Sequence, residues 1–112
     1  MQGRRVFHTA MRALEDDLIA MTDLAGNALM SAVAALIARD EEAARAVVSG
    51  DERLNALWTD LERAGLTLIA TQSPMAVDLR EIVAITHIAT DLERVGDHAK
   101  SIALAAVALV AE

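Results

Sequence analysis

Along the first third of the chain, apolar residues recur at Phe7, Met11, Leu14, Leu18, Met21, Ala25, Ala28 and Ala32, in alternating steps of 4 and 3. That alternation holds one stripe on one face of an α-helix, the stripe a helix buries in a bundle. It fades at Ala38-Arg39-Asp40, where Asp40 can cap a second helix whose first turn carries Glu41 and Glu42. The second helix shows Leu54, Leu57, Leu61, Ala64, Leu68 and Thr71 in the same rhythm. Gly50 is its weak point, because glycine inside a helix costs about 1 kcal/mol relative to alanine. A kink or break there would turn Asp51 into a plain N-cap.

The next punctuation is Thr71-Gln72-Ser73-Pro74. Ser73 is a good N-cap and Pro74 is preorganised for a first helical position. Only a tight turn fits, so helices two and three are expected to lie antiparallel. Helix three carries Ile82, Ile85, Ala89, Leu92, Gly96, Ala99, Ala103, Ala106 and Val110, and a second row, Ile88, Val95, Ile102 and Leu109, widens its apolar face. Two apolar rows predict a helix packed against two neighbours. The expectation is an all-α, antiparallel three-helix bundle with spectrin-like packing, a single domain over residues 1–112 with helices at about 4–38, 41–72 and 74–111. The apolar helical run at the C-terminal end has no C-cap signal. It reads either as part of a longer protein or as an end that packs on another chain, so a homo-oligomer is expected.

Composition sharpens this picture. Apolar residues make up 54% and aromatics 2%, with one proline, a profile that disfavours sandwiches and barrels. Without cysteine there are no disulfides, thiolate metal sites or cysteine catalysis, which fits a cytoplasmic protein. The N-terminal stretch has no uninterrupted apolar core of signal-peptide type, and the most apolar run, residues 102–111, is shorter than the roughly 18–20 residues a membrane span needs. No membrane insertion is therefore expected. A net charge of −7 argues against nucleic acid and is compatible with cations or a basic partner surface.

The chemistry concentrates in Asp91-Leu92-Glu93-Arg94-Val95-Gly96-Asp97-His98. With Leu92 at the centre of the buried stripe, Glu93 and Asp97 fall roughly 100° and 140° around the helix, one turn apart on one flank. Like charges at this spacing repel by a few tenths of a kcal/mol, and a hard cation bridging them would reverse that sign. Folding the hairpin about residue 73 brings Asp51 opposite the neighbourhood of Val95 and Asn55 opposite that of Asp91. Asp51 and Asn55 would then meet Glu93 and Asp97 at one level. Such all-oxygen ligation suits iron, manganese, magnesium or calcium. The competing reading is a solvated acidic face partly neutralised by Arg94 or Lys100, in a metal-free structural or dimerisation domain. His8, His87 and His98 read as surface histidines, and Trp58 as packing or a partner contact. No Glu-x-x-His, phosphate-cradling glycine loop or serine–histidine–acid set is present, so the chain is not expected to be an enzyme.

Residues 91–103 resemble the acidic signature of the PhoU family of phosphate-uptake regulators. Residues 68–82, with Pro74 and Asp78-Leu79-Arg80, resemble the family's turn into its third helix. Residues 47–62 resemble its second-helix motif, and residues 24–40 the end of its first helix. The resemblance implies one three-helix repeat of a family whose members usually carry two, with multinuclear iron or other metals on paired acidic motifs. It implies Asp51, Glu93 and Asp97 as metal ligands, with Asn55 standing where a second carboxylate is common. It further implies a non-enzymatic negative regulator linking a phosphate ABC transporter to its sensor histidine kinase.

Overall fold

The computed structural model describes residues 2–111, which form three helices: α1 (Gln2–Ala38), α2 (Glu41–Gln72) and α3 (Ala76–Ala111). They make an up-down-up bundle about 62 Å long and 19 by 16 Å across. α1 and α3 run parallel, so Arg4 near the start of α1 lies 3.8 Å from Asp78 near the start of α3.

The first turn is compact because its residues serve both helices. Arg39 adopts a left-handed backbone (φ 54°), and the amides of Arg39 and Asp40 donate to the carbonyls of Leu36 and Ala35, a Schellman closure of α1. Asp40 then caps α2, its side chain accepting from the Ala43 amide at 3.0 Å. The second turn departs from expectation. Ser73 does not cap α3. It closes α2 in the left-handed region (φ 42°, ψ 60°), and α3 begins at Ala76 instead of residue 74. The proline ring clashes with a right-handed helical residue before it, which pushes Ser73 out of α2. Met75 is left to accept the first helical bond, from the Leu79 amide. Gly50 does not break α2, so Asp51 lies inside a continuous helix.

The interior has two parts. Toward the second turn, Phe7, Met11, Leu14 and Met21 of α1 pack with Leu54, Leu61, Leu68, Ile82 and Ile85. Toward the first turn the core is built of alanine: Ala32, Ala35, Ala44, Ala99, Ala103 and Ala106. Side chains this small let the three helices approach closely.

Two apolar rows turn out differently from their spacing. On α2 the buried stripe is rotated toward α3: Ala64 and Thr71 are exposed, Leu57 is half-buried, and Gly65 and Asp51 are buried. Gly65 makes this rotation feasible, because a Cβ there would already touch Thr86 of α3 at 3.2 Å. On α3 the second row is not enclosed, since Ile88 is 46% exposed and Val95, Ile102 and Leu109 are half-buried.

Two glycines inside helices, one buried and one exposed, should respond oppositely to alanine. A Cβ at Gly96 would collide with Leu54 Cδ2, and Leu54 is only 2% exposed and cannot swing away. A Cβ at Gly50 meets nothing within 4 Å. Gly96→Ala is expected to destabilise by about 1–3 kcal/mol through overpacking. Gly50→Ala is expected to stabilise by about 0.5–1 kcal/mol. Urea unfolding followed by circular dichroism measures both.

Candidate functional site

The candidate residues gather where the large-residue core gives way to the alanine core, on the α2–α3 face. Asp51 is the buried charged residue of the described structure, at 8% exposure. It is held there because Gly96 of α3 presents no side chain: the Cβ position of Gly96 is 3.3 Å from Asp51 Oδ1. Asn55, one turn along α2, is half-buried and donates its amide to Asp51 Oδ2 at 3.2 Å. On α3, Glu93 is half-buried and Asp97 exposed. The four residues therefore run from interior to solvent across one face, and the hairpin register anticipated from the turn is close to the one observed.

The polar bookkeeping of the cluster is incomplete. Asp51 Oδ1 and Asn55 Oδ1 are buried and, among the described residues, have no hydrogen-bond partner. Buried acceptors left in this way cost on the order of 1–3 kcal/mol each. Across from them, the Glu93 carboxyl is pushed above its usual range, chiefly by partial burial. Its hydrogen bond with Asp97 and the charges of Asp97 and Asp51 add to the shift, and Arg94 opposes it. Cationic compensation from within the fold is thus weak: Arg94 is exposed, and no ion pair joins a basic residue to these carboxylates among the described residues.

The donor set is all oxygen, the kind that an oxygen-seeking cation takes. Two orphaned acceptors and two adjacent carboxylates supply hard ligands of the kind iron(III), manganese, magnesium or calcium prefer. The residues present thus suit such an ion chemically. They do not form a finished cage by themselves, because no group of three or more His, Cys, Asp or Glu side chains among the described residues converges on a single point. Further ligands would have to come from solvent or a partner. His87 and His98 are exposed and contribute nothing to this cluster.

Two features escaped the periodicity argument. Trp58 donates from Nε1 to Thr90 Oγ1 at 3.3 Å, and Thr90 in turn donates to the Thr86 carbonyl. This bridge pins α2 to α3 on the turn side of the carboxylates and makes Trp58 a positioning residue. A tryptophan beside a threonine-bearing helix carries no signal of that pairing in spacing alone. The second feature is a cleft of about 380 Å³ between α1 and α2, lined by Leu24, Ala28, Val47, Gly50 and Leu54, with Asp51 on its wall.

Comparison with known proteins bears on this site. Residues 18–106 match the family model described as the PhoU domain. The chain is 44% identical over 96 residues to the phosphate-specific transport system accessory protein PhoU homolog of Caulobacter vibrioides, covering 86% of this chain and 42% of that relative. It is 39% identical over 98 residues to the homologue of the same name in Aquifex aeolicus, covering 88% and 44%. To PhoU homolog 1 of Mycobacterium tuberculosis it is 38% identical over 100 residues, covering 89% and 45%. The chain thus spans less than half the length of these relatives.

The raised pKa of Glu93 has a definite sign in stability. The folded state binds this proton more tightly than the unfolded chain. The contribution is therefore greatest below the carboxylate range and is lost as pH rises through the raised value. In metal-free buffer at neutral pH, Glu93→Gln is expected to raise Tm by about 1–2 °C, the size of a relieved i,i+4 repulsion. The gain should shrink toward acid pH. Thermal melts of both proteins across the acid-to-neutral range check this.

Proposed function

Since the chain belongs to the PhoU domain family, we propose that it is a regulatory interaction module of phosphate-specific transport that binds a hard metal ion on the α2–α3 face. The supporting observation is the pair of orphaned buried acceptors, Asp51 Oδ1 and Asn55 Oδ1, beside the Glu93–Asp97 carboxylates. Asp51, Asn55, Glu93 and Asp97 hold the ion, which is iron, as a multinuclear cluster, or manganese or magnesium. Bound there, the ion supplies positive charge that offsets the carboxylate repulsion.

The chain's own residues do the rest. Gly96 and the Trp58–Thr90 bridge fix the spacing of α2 and α3, so the acidic face is presented as a rigid surface. Asn55 in place of a carboxylate lowers the charge of the site by one, which weakens the hold on a trivalent ion relative to a divalent one. The partners are the cytoplasmic side of a phosphate ABC transporter and its sensor histidine kinase, and the regulation is negative. The relatives are named as accessory proteins of the transport system, which supports the transporter and a non-enzymatic role.

A second reading, a metal-free interaction domain, is favoured by the lack of a convergent three-ligand cage among the described residues. Elemental analysis of protein purified without chelator, with titration calorimetry of the stripped protein, separates the two. Stoichiometric metal is expected. Glu93→Ala with Asp97→Ala should abolish it while leaving helical circular dichroism unchanged, because both groups lie on the flank. Protein that stays metal-free with iron, manganese and magnesium would favour the interaction domain. For regulation, the measurement is a phosphate-regulon reporter in cells lacking the protein. Expression that stays low in phosphate-rich medium would count against the regulatory role.

A further inference from the structure

The two residues that α2 brings to the acidic cluster have their donor atoms committed unevenly. Asp51 has two carboxylate oxygens, and Oδ2 is engaged by the Asn55 amide at 3.2 Å. The other, Oδ1, is buried and has no partner among the described residues. It is turned toward α3, 3.3 Å from the Cβ position of Gly96, on the helix that carries Glu93 and Asp97. Asn55 Oδ1 is likewise buried and unpartnered. The direction of the Asn55 amide follows from its neighbour. Turned end for end, it would set its oxygen against Asp51 Oδ2, two acceptors with no proton between them. Thus α2 offers one free oxygen from each residue.

That division bears on how many ions the site can hold. Ions in a multinuclear centre lie roughly 3.5–4 Å apart. A carboxylate can join two of them by giving one oxygen to each, and it supplies negative charge between them. A side-chain amide has a single, neutral oxygen. We infer that Asn55 limits this site to one metal ion: its own oxygen serves one ion, and its Nδ2 keeps Asp51 Oδ2 from reaching a second. The inference rests on the metal reading above and chooses within it, a single manganese, magnesium or iron ion in place of a cluster.

Charge and spacing point the same way. Asp51, Glu93 and Asp97 carry three negative charges when all are ionised, which match one divalent or trivalent ion to within a single charge. Two divalent ions would already exceed them, and surplus charge beside a buried carboxylate is costly. The helices are also held at both edges of the cluster, by Leu54 against Gly96 and by the Trp58–Thr90 bridge, so α2 and α3 are not free to spread around a second ion. Asn55→Asp reverses each effect of the amide. It removes the donor, frees Asp51 Oδ2, and adds a carboxylate able to bridge.

The test is equilibrium dialysis of the stripped chain against manganese(II) in about 0.15 M salt, which screens loosely held surface ions. The Glu93→Ala, Asp97→Ala double variant gives the background to subtract. One manganese per chain is expected, with the electron paramagnetic resonance spectrum of an isolated ion. Asn55→Asp should take up a second ion and show the spectrum of a spin-coupled pair. Asn55→Ala should weaken uptake on the order of tenfold or more, by loss of a ligand. It keeps the test decisive if the added carboxylate disturbs the fold, which helical circular dichroism reads. Two or more coupled ions on the unaltered chain, a folded Asn55→Asp that holds only one, or an Asn55→Ala that binds as tightly as its parent would each overturn the inference. An unaltered chain that binds no manganese, magnesium or iron would overturn the metal reading itself, and this inference with it.

Discussion

The close approach of α3 to α2 at Gly96 organises this molecule. A residue with a side chain at 96 would strike Leu54, so the helices can meet there only because the side chain is absent. The contact that buries Leu54 also closes over the Asp51 carboxylate and strips it of water. A carboxylate in that position, with one oxygen unpartnered, is unfavourable for a bundle that needed only to fold. Apolar residues of similar volume at buried charged positions are often neutral or stabilising. The physical peculiarity of the chain and its candidate function therefore share one spot.

That spot divides the bundle energetically. On the side of the second turn, large side chains interlock and supply most of the apolar burial. On the other side the interior is alanine, which buries little area per residue but brings backbones close. The acidic cluster sits at the junction. A cation drawing Asp51 and Asn55 toward Glu93 and Asp97 would act on the part of the bundle where packing has least to contribute, so occupancy and stability should be coupled more strongly there than at the turn.

Much of this was legible in the residues because a heptad row encodes both helix and buried face. The stripe from Phe7 to Ala32 lies inside as its spacing requires, with Leu18 and Ala28 at its half-covered edge. Counting back from the turn placed Asp51 against Val95, and the structure places it against the next residue, Gly96. The failures have particular causes. Ser73 has the chemistry of an N-cap, but the proline after it restricts its backbone, and that restriction prevails over the capping preference. On α2 a seam of leucines suggested a stripe through Ala64. Rotation toward α3 is set by Gly65, and a glycine contributes nothing to a hydrophobic pattern. Periodicity says that a row is apolar and says nothing of what covers it, so Ile88, Val95, Ile102 and Leu109 look alike whether buried by this bundle or by another chain.

The two flanks of α3 have opposite characters. Its α2 flank bears Glu93 and Asp97, and its α1 flank bears the apolar row with Ile102. Covering the apolar flank leaves the acidic one free, because they are roughly on opposite sides of a helix only about 10 Å across. Ala99 and Ala103, buried between the two flanks, leave α3 close to both neighbours. A change in the spacing of α2 and α3 at Gly96 would tilt Ile102 with it, since fewer than two helical turns separate them. The acidic flank and the apolar flank are thus joined by a single helix whose buried side at this level is built of glycine and alanine.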